Sequence, residues 1–177
     1  VSGDLVIDDQ KGFELSQQSR LTQSAGTKKP LAAFWKRPMA PAENNAECLL
    51  ARARRAAERA HCPYSNFHVG AAVRCDDGSV IDGCNVENAS YGLSICAERV
   101  ALFTAISQGK QPIELAVSCI DAQSDAAPGS RMPCGACRQV MQELLPSKAK
   151  VSIDGVGTRQ LEQLLPAPFE LRQANIN

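Results

Sequence analysis

The 177 residues suffice for one buried core and are short for two. Lys and Arg (19) balance Asp and Glu (19), so the formal net charge is zero. A nucleic-acid groove or an anionic membrane surface, each of which recruits excess positive charge, is thereby excluded as the main partner.

Residues 1–43 are rich in Gln, Ser, Lys and Pro and follow neither a period of 2 nor one of 3.6. They read as an N-terminal extension, either a flexible tail or an arm whose Phe34-Trp35 pair docks on a partner or on the chain itself. Residues 44–177 are expected to form the domain. Asn44, with Glu47 three residues on, resembles a capping box, and Ala46, Leu49, Leu50, Ala53, Ala57 and Ala60 recur at helical spacing before Pro63. Arg52, Arg55 and Arg59 read as a solvated helix face rather than a nucleic-acid stripe, and Arg54 is expected to pair with Glu58.

Two apolar runs, 67–75 and 80–86, flank Asp76-Asp77-Gly78, a hairpin turn. Residues 94–108 are expected to be helical, with Ser94 as N-cap and Gly109 as the stop. A continuous apolar strand over 113–120 is followed by a polar loop over 121–132 and a helix over 135–145 that Pro146 ends. A short strand at 150–153 and a helix at 158–165 complete the chain. This alternation predicts an α/β domain whose mixed sheet is covered on both faces.

Eight cysteines in 177 residues are far fewer than a small disulfide scaffold carries. Val1-Ser2-Gly3-Asp4 does not follow the basic-then-apolar plan of a secretory signal, so the expectation is a cytoplasmic chain with thiols or metal ligands. Two segments place cysteines at helix starts: Cys96-Ala97-Glu98 and Pro133-Cys134-Gly135-Ala136-Cys137. Cys134 and Cys137 have the spacing that lets both sulfurs meet one tetrahedral ion, and one intervening strand can bring Cys96 beside them. Helix N-termini favour thiolates, because unpaired N–H groups and the macrodipole stabilise negative charge there. Three protein ligands leave one zinc position open, the catalytic arrangement. Glu98, two positions beyond a ligand, could reach water at the metal and move its proton. A non-ligand Glu so placed, with P-C-x-x-C later, is the layout of zinc deaminases, here with Cys as first ligand.

Other readings exist. The C-x-x-C could be a redox pair, or a closed structural zinc could draw a fourth ligand from Cys48, Cys62, Cys75, Cys84, Cys119, His61 or His68. Cys75, Cys84 and Cys119 lie in apolar runs and read as small buried hydrophobes; His61 and His68 have no metal spacing and read as structural.

The run Pro63-Tyr64-Ser65-x-Phe67, then Val69-Gly70-Ala71-Ala72, Asn85-Val86-Glu87-Asn88-Ala89, Cys96-Ala97-Glu98-Arg99 and Pro133-Cys134-Gly135-x-Cys137-Arg138-Gln139 resembles cytidine deaminase, in its small homotetrameric form with three Cys ligands. The likeness spans about residues 46–169. It implies a three-layer α/β/α sandwich with a mixed, roughly five-stranded sheet, and hydrolytic deamination of cytidine and deoxycytidine in pyrimidine salvage. It further implies one Zn2+ per subunit on Cys96, Cys134 and Cys137, with Glu98 as the proton shuttle. Arg99, helped by Arg138, would offset the thiolate charge. Asn85 and Glu87 would bond the ribose 3′-hydroxyl, Phe67 would pack on the base, and the Ala97 backbone would read the pyrimidine edge. Ala89, Tyr91 and Phe169 would reach a neighbouring subunit's nucleoside, making the homotetramer with shared sites a catalytic requirement. The chain departs from the pattern in residues 1–43, in a long 121–132 loop and in a short stretch between Lys150 and Thr158.

Two rivals remain. A deaminase of a related nucleoside such as blasticidin S is opposed by Asn85-x-Glu87-Asn88, a pair suited to a ribose. A non-catalytic zinc-stabilised binding protein is opposed by Glu98 and the open metal position.

Overall fold

In a computed structural model the described residues are 46–171. The expected extension over 1–43, with Phe34 and Trp35, lies outside them, as does the Asn44 end of the capping box. Helix α1 (Ala46–Ala57) leads into the hairpin β1 (Val69–Cys75) and β2 (Val80–Cys84), and α2 (Ala97–Ser107) precedes β3 (Pro112–Cys119). Helix α3 (Gly135–Leu144) precedes β4 (Lys150–Ile153), β5 (Gly157–Gln160) and the single turn α4 (Leu161–Leu164). Among the described residues no helix is long and apolar enough to cross a membrane.

The five strands form one mixed sheet in the order β2-β1-β3-β4-β5. Strand β1 runs antiparallel to both β2 and β3, β3 and β4 are parallel, and β5 closes an antiparallel edge. Because β2 and β3 each oppose β1, they run the same way, so α2 connects two parallel strands across β1 and α3 connects the parallel neighbours β3 and β4. A helix joining parallel strands starts at their carboxyl ends. Both helix starts therefore arrive at one edge of the sheet.

The pleat sorts the core into two layers. Ala71, Val73, Leu115, Val117, Val151 and Ile153 pack with Leu102 of α2, Met141 of α3 and Leu161 of α4. Ala72 and Ala116 face Leu49 and Ala53 of α1. Two glycines set how close the helices come. A Cβ on Gly70 would lie 2.0 Å from the Ala53 carbonyl oxygen of α1, and one on Gly83 would lie 2.5 Å from both Ala97 O and Ala101 N of α2. Backbone pressed on backbone leaves no flexible side chain to yield.

Four expectations are corrected. Ser94 is not the cap of α2: the helix starts one residue after Cys96, whose extended φ −75° and ψ 152° make it the N-cap. Ser94 instead accepts the Asn88 N–H at 3.0 Å, tying down the segment before the helix. Arg52 is buried rather than solvated, its Nε on Asp82 Oδ1 and its Nη2 on the Val80 carbonyl, both at 3.0 Å. Arg54 reaches across to Asp154 through two bonds of 2.7 and 2.6 Å, since residue 154 directly follows β4. Finally, residues 158–160 belong to β5 rather than to a helix; the stretch after Lys150 is long enough for a tight hairpin, and Gln160 with Gln163 caps the short α4.

Gly70→Ala and Gly83→Ala are each expected to destabilise the fold by about 1–3 kcal/mol or more, the usual cost of overpacking. Urea denaturation reads this as a lower midpoint at unchanged slope; an unchanged midpoint would show that the helices can stand off the sheet.

Candidate metal centre and active site

The convergent helix starts carry the cysteines. Cys96 is the N-cap of α2, Cys134 is the N-cap of α3 in the same extended conformation, and Cys137 lies in the first turn of α3. Their three Sγ atoms lie within 4.8 Å of one another, with Cys96 and Cys134 at 3.9 Å. Zinc–sulfur bonds of about 2.3 Å in a tetrahedron put sulfurs roughly 3.8 Å apart, so the spacing suits zinc. Among the described residues this is the one cluster of three or more candidate ligands, and none of the cysteines or histidines considered as a fourth ligand joins it. All eight cysteines are free thiols.

Charge is arranged around the sulfurs. Hydrogen bonds from Cys137, Arg99 and Cys134 overcome burial and hold the Cys96 thiol well below its ordinary value, at about 5. Cys137, sharing its proton with that thiolate inside the core, is pushed upward. Arg99 Nη2 donates to Cys96 Sγ at 3.5 Å, while its Nε is buried without a partner. Arg138 does something different: Nε donates to the Pro133 carbonyl at 2.8 Å and Nη1 to the Leu164 carbonyl at 3.0 Å. It braces the chain entering α3, which leaves charge compensation to Arg99.

Glu98 is 4% exposed, in the first turn of α2. Burial, reinforced by the Cys96 thiolate, raises its carboxyl to about 7 against the pull of its own backbone N–H, the Cys137 thiol and Arg99. It faces a cavity of about 450 Å³ that Cys96 and Cys134 also line, at the carboxyl ends of the strands.

Phe67, Asn85 and Glu87 line the same cavity. The Asn85 amide is committed to the start of β1, accepting the Val69 N–H and donating to the Phe67 carbonyl, each at 2.9 Å. Glu87 accepts the Ser65 hydroxyl and the Tyr64 and Ser65 N–H groups, which hold its carboxyl below the usual range. Ala97 is buried in the first turn of α2. Ala89, Tyr91 and Phe169 are exposed and do not line the cavity within this chain. Tyr91 meets Tyr64 edge to face at 6.3 Å, and the Phe169 backbone is gripped in both directions by the Gln139 amide.

Sequence reasoning missed Ser65, Cys119, Ser130, Arg131 and Met132 as cavity residues. Cys119 looked like plain core, yet it ends β3 at the edge where ligands collect, and burial pushes its thiol up to about 11. That strand-end position was the available signal. The two histidines stay structural: His68 bonds Asp121 through Nδ1 at 2.8 Å and its backbone N–H, and His61 joins Val86 in an isolated bridge.

The family model of the cytidine and deoxycytidylate deaminase zinc-binding region matches residues 43–153. A cytidine deaminase of Halalkalibacterium halodurans is 45% identical over 133 residues, covering 73% of this chain and 97% of the relative. The crystal structure of cytidine deaminase from Mycobacterium tuberculosis is 40% identical and superposes with a TM-score of 0.62, over 73% of this chain and 100% of that one. A blasticidin-S deaminase of Bacillus cereus is more distant, 32% identical over 110 residues, 59% of this chain and 79% of its own.

In chelator-treated protein at pH 6, iodoacetamide is expected to label Cys96 ahead of Cys62, Cys75, Cys84 and Cys119, whose thiols burial raises. Peptide mapping by mass spectrometry reads the order; slower labelling of Cys96 than of these four would contradict the electrostatics described.

Proposed function

Since the chain belongs to the cytidine and deoxycytidylate deaminase family, we propose that it hydrolyses cytidine and deoxycytidine to uridine and deoxyuridine with release of ammonia. The observation that carries this reading is the buried Glu98 carboxyl, raised to about 7, beside three converging thiols.

Cys96, Cys134 and Cys137 would hold one zinc ion. When bound, zinc supplies the Lewis acidity that makes water a nucleophile near neutral pH. Glu98 does the proton work. Its carboxylate takes a proton from the attacking water and its carboxylic acid delivers one to N3 of cytosine, making C4 electrophilic. The water oxygen bonds to C4, the C4–N4 bond breaks, and the leaving amine departs as ammonia with a proton relayed by Glu98. Arg99 stabilises the anionic sulfurs, and the Ala97 backbone beside Glu98 orients the pyrimidine edge. Phe67 supplies an apolar surface for the base. Glu87 lines the cavity and fits the ribose hydroxyl through its lone pair not engaged by Ser65 and Tyr64, and Asn85 retains one amide hydrogen beyond its bond to Phe67 for the same hydroxyl.

The assembly in this reading is a homotetramer with shared sites. Exposed Tyr91, Leu93 and Phe169, at 77%, 71% and 68%, support it, because each leaves a large apolar side chain that a neighbouring subunit could cover. Ala89, Tyr91 and Phe169 would then complete a neighbour's cavity. Eight free thiols support a cytoplasmic setting.

Zinc-loaded protein is expected to release ammonia from cytidine and deoxycytidine. Release from blasticidin S alone would transfer the reading to that substrate. Glu98→Gln should keep its zinc and lose about 10²–10⁴-fold in turnover, the usual worth of general acid–base catalysis; full activity would remove Glu98 from the mechanism. Light scattering of the eluted protein should give a mass of four chains, and an active monomer would rule out shared sites.

A further inference from the structure

Arg131 ends the 121–132 loop at the cavity, and its guanidinium touches separate pieces of chain. Nη2 donates to the Ala122 carbonyl at 3.4 Å and also to the Gln123 carbonyl, where the loop begins. Nη1 occupies the space that a side chain at residue 155 would fill: a Cβ on Gly155 would lie 1.8 Å from it. Neighbouring Asp154 feels this positive charge while its carboxylate is bonded by Arg54 and by the Ser118 hydroxyl. Nε is buried without a hydrogen-bond partner. A buried donor left unpaired is costly, so the side chain is held by what its other nitrogens and its packing on Gly155 accomplish.

Ser130, Arg131 and Met132 form one wall of the cavity. The next residues are anchored separately, since Arg138 holds the Pro133 carbonyl. Two arginines thus secure successive parts of one segment, one beside the sulfurs and one beside the open space. We infer that Arg131 is a positioning residue for the substrate: it clamps the 121–132 loop onto the turn at Gly155 and so fixes the cavity wall that the nucleoside meets. The loop has one short 3-10 turn, Pro128–Arg131, as regular structure. Without the clamp, binding would have to order it. That loss falls on substrate binding rather than on the chemical step, because Cys134 and Glu98 have their own supports.

The inference rests on the cavity's being the cytidine site, and the test separates the two. Zinc-loaded Arg131→Met and Gly155→Asn proteins are compared with wild type. Asn tolerates the left-handed φ of +73° at this position, yet its Cβ evicts Nη1 while leaving Arg131 in the sequence. Gly78→Asn, at φ +79° with nothing within 4 Å of a Cβ, controls for the backbone cost. Both clamp variants are expected to raise KM for cytidine by about fivefold or more with kcat within about twofold and zinc content unchanged. Amide exchange in peptides covering 121–132 should accelerate about tenfold in both, with no change in Gly78→Asn. Unchanged exchange in that segment, or a fall in kcat at constant KM, would overturn the clamp. If one variant does not fold, the other still reports. Should wild type fail to deaminate cytidine, the exchange measurement alone decides the clamp and only the functional reading falls.

Discussion

Three sulfurs that repel one another as thiolates are brought within 4.8 Å by the topology of the sheet. Two connecting helices that each join parallel strands must start at the same sheet edge, and here both starts are cysteines. The positive ends of α2 and α3 and the Arg99 guanidinium offset part of the repulsion. The approach of α2 to the sheet depends on Gly83, whose missing Cβ admits the backbone of Ala97 and Ala101. A standoff by the width of a methyl group would carry Cys96 and Glu98 away with the helix.

Glu98 shares its helical turn with Cys96, so one packing decision places both the sulfur and the buried carboxyl at the cavity. Burial makes ionisation costly, which is why the carboxyl rises to about 7, into the range where it can give and take a proton.

Arginine is used here for three distinct tasks. Arg99 meets sulfur, Arg138 meets two backbone carbonyls on either side of α3, and Arg131 spans a loop and a turn. Arg138 uses two arms of its planar fork at once, which lysine's single ammonium cannot reproduce. A formal net charge of zero is compatible with this concentration of cations because Asp82, Asp154 and Glu114 bind other arginines along the sheet.

Much of this was legible in the sequence. C-A-E and P-C-G-A-C pointed to the three cysteines that the fold gathers and to the carboxylate buried beside them, because ligand spacing and a carboxylate in the next half-turn are local properties. Strands 150–153 and the hairpin at 76–78 were equally local, set by apolar runs and turn residues. Tertiary structure decided what depends on distant partners. It moved the α2 cap from Ser94 to Cys96, since the residue that starts the helix must also aim a thiol at Cys134. It buried Arg52 against Asp82, turned Arg138 toward carbonyls, and drew 158–160 into the sheet because β4 offered an open edge. The 121–132 loop shows the division most plainly: its composition says only loop, whereas the contact between Arg131 and Gly155 exists only once residues 24 apart in the chain are folded together.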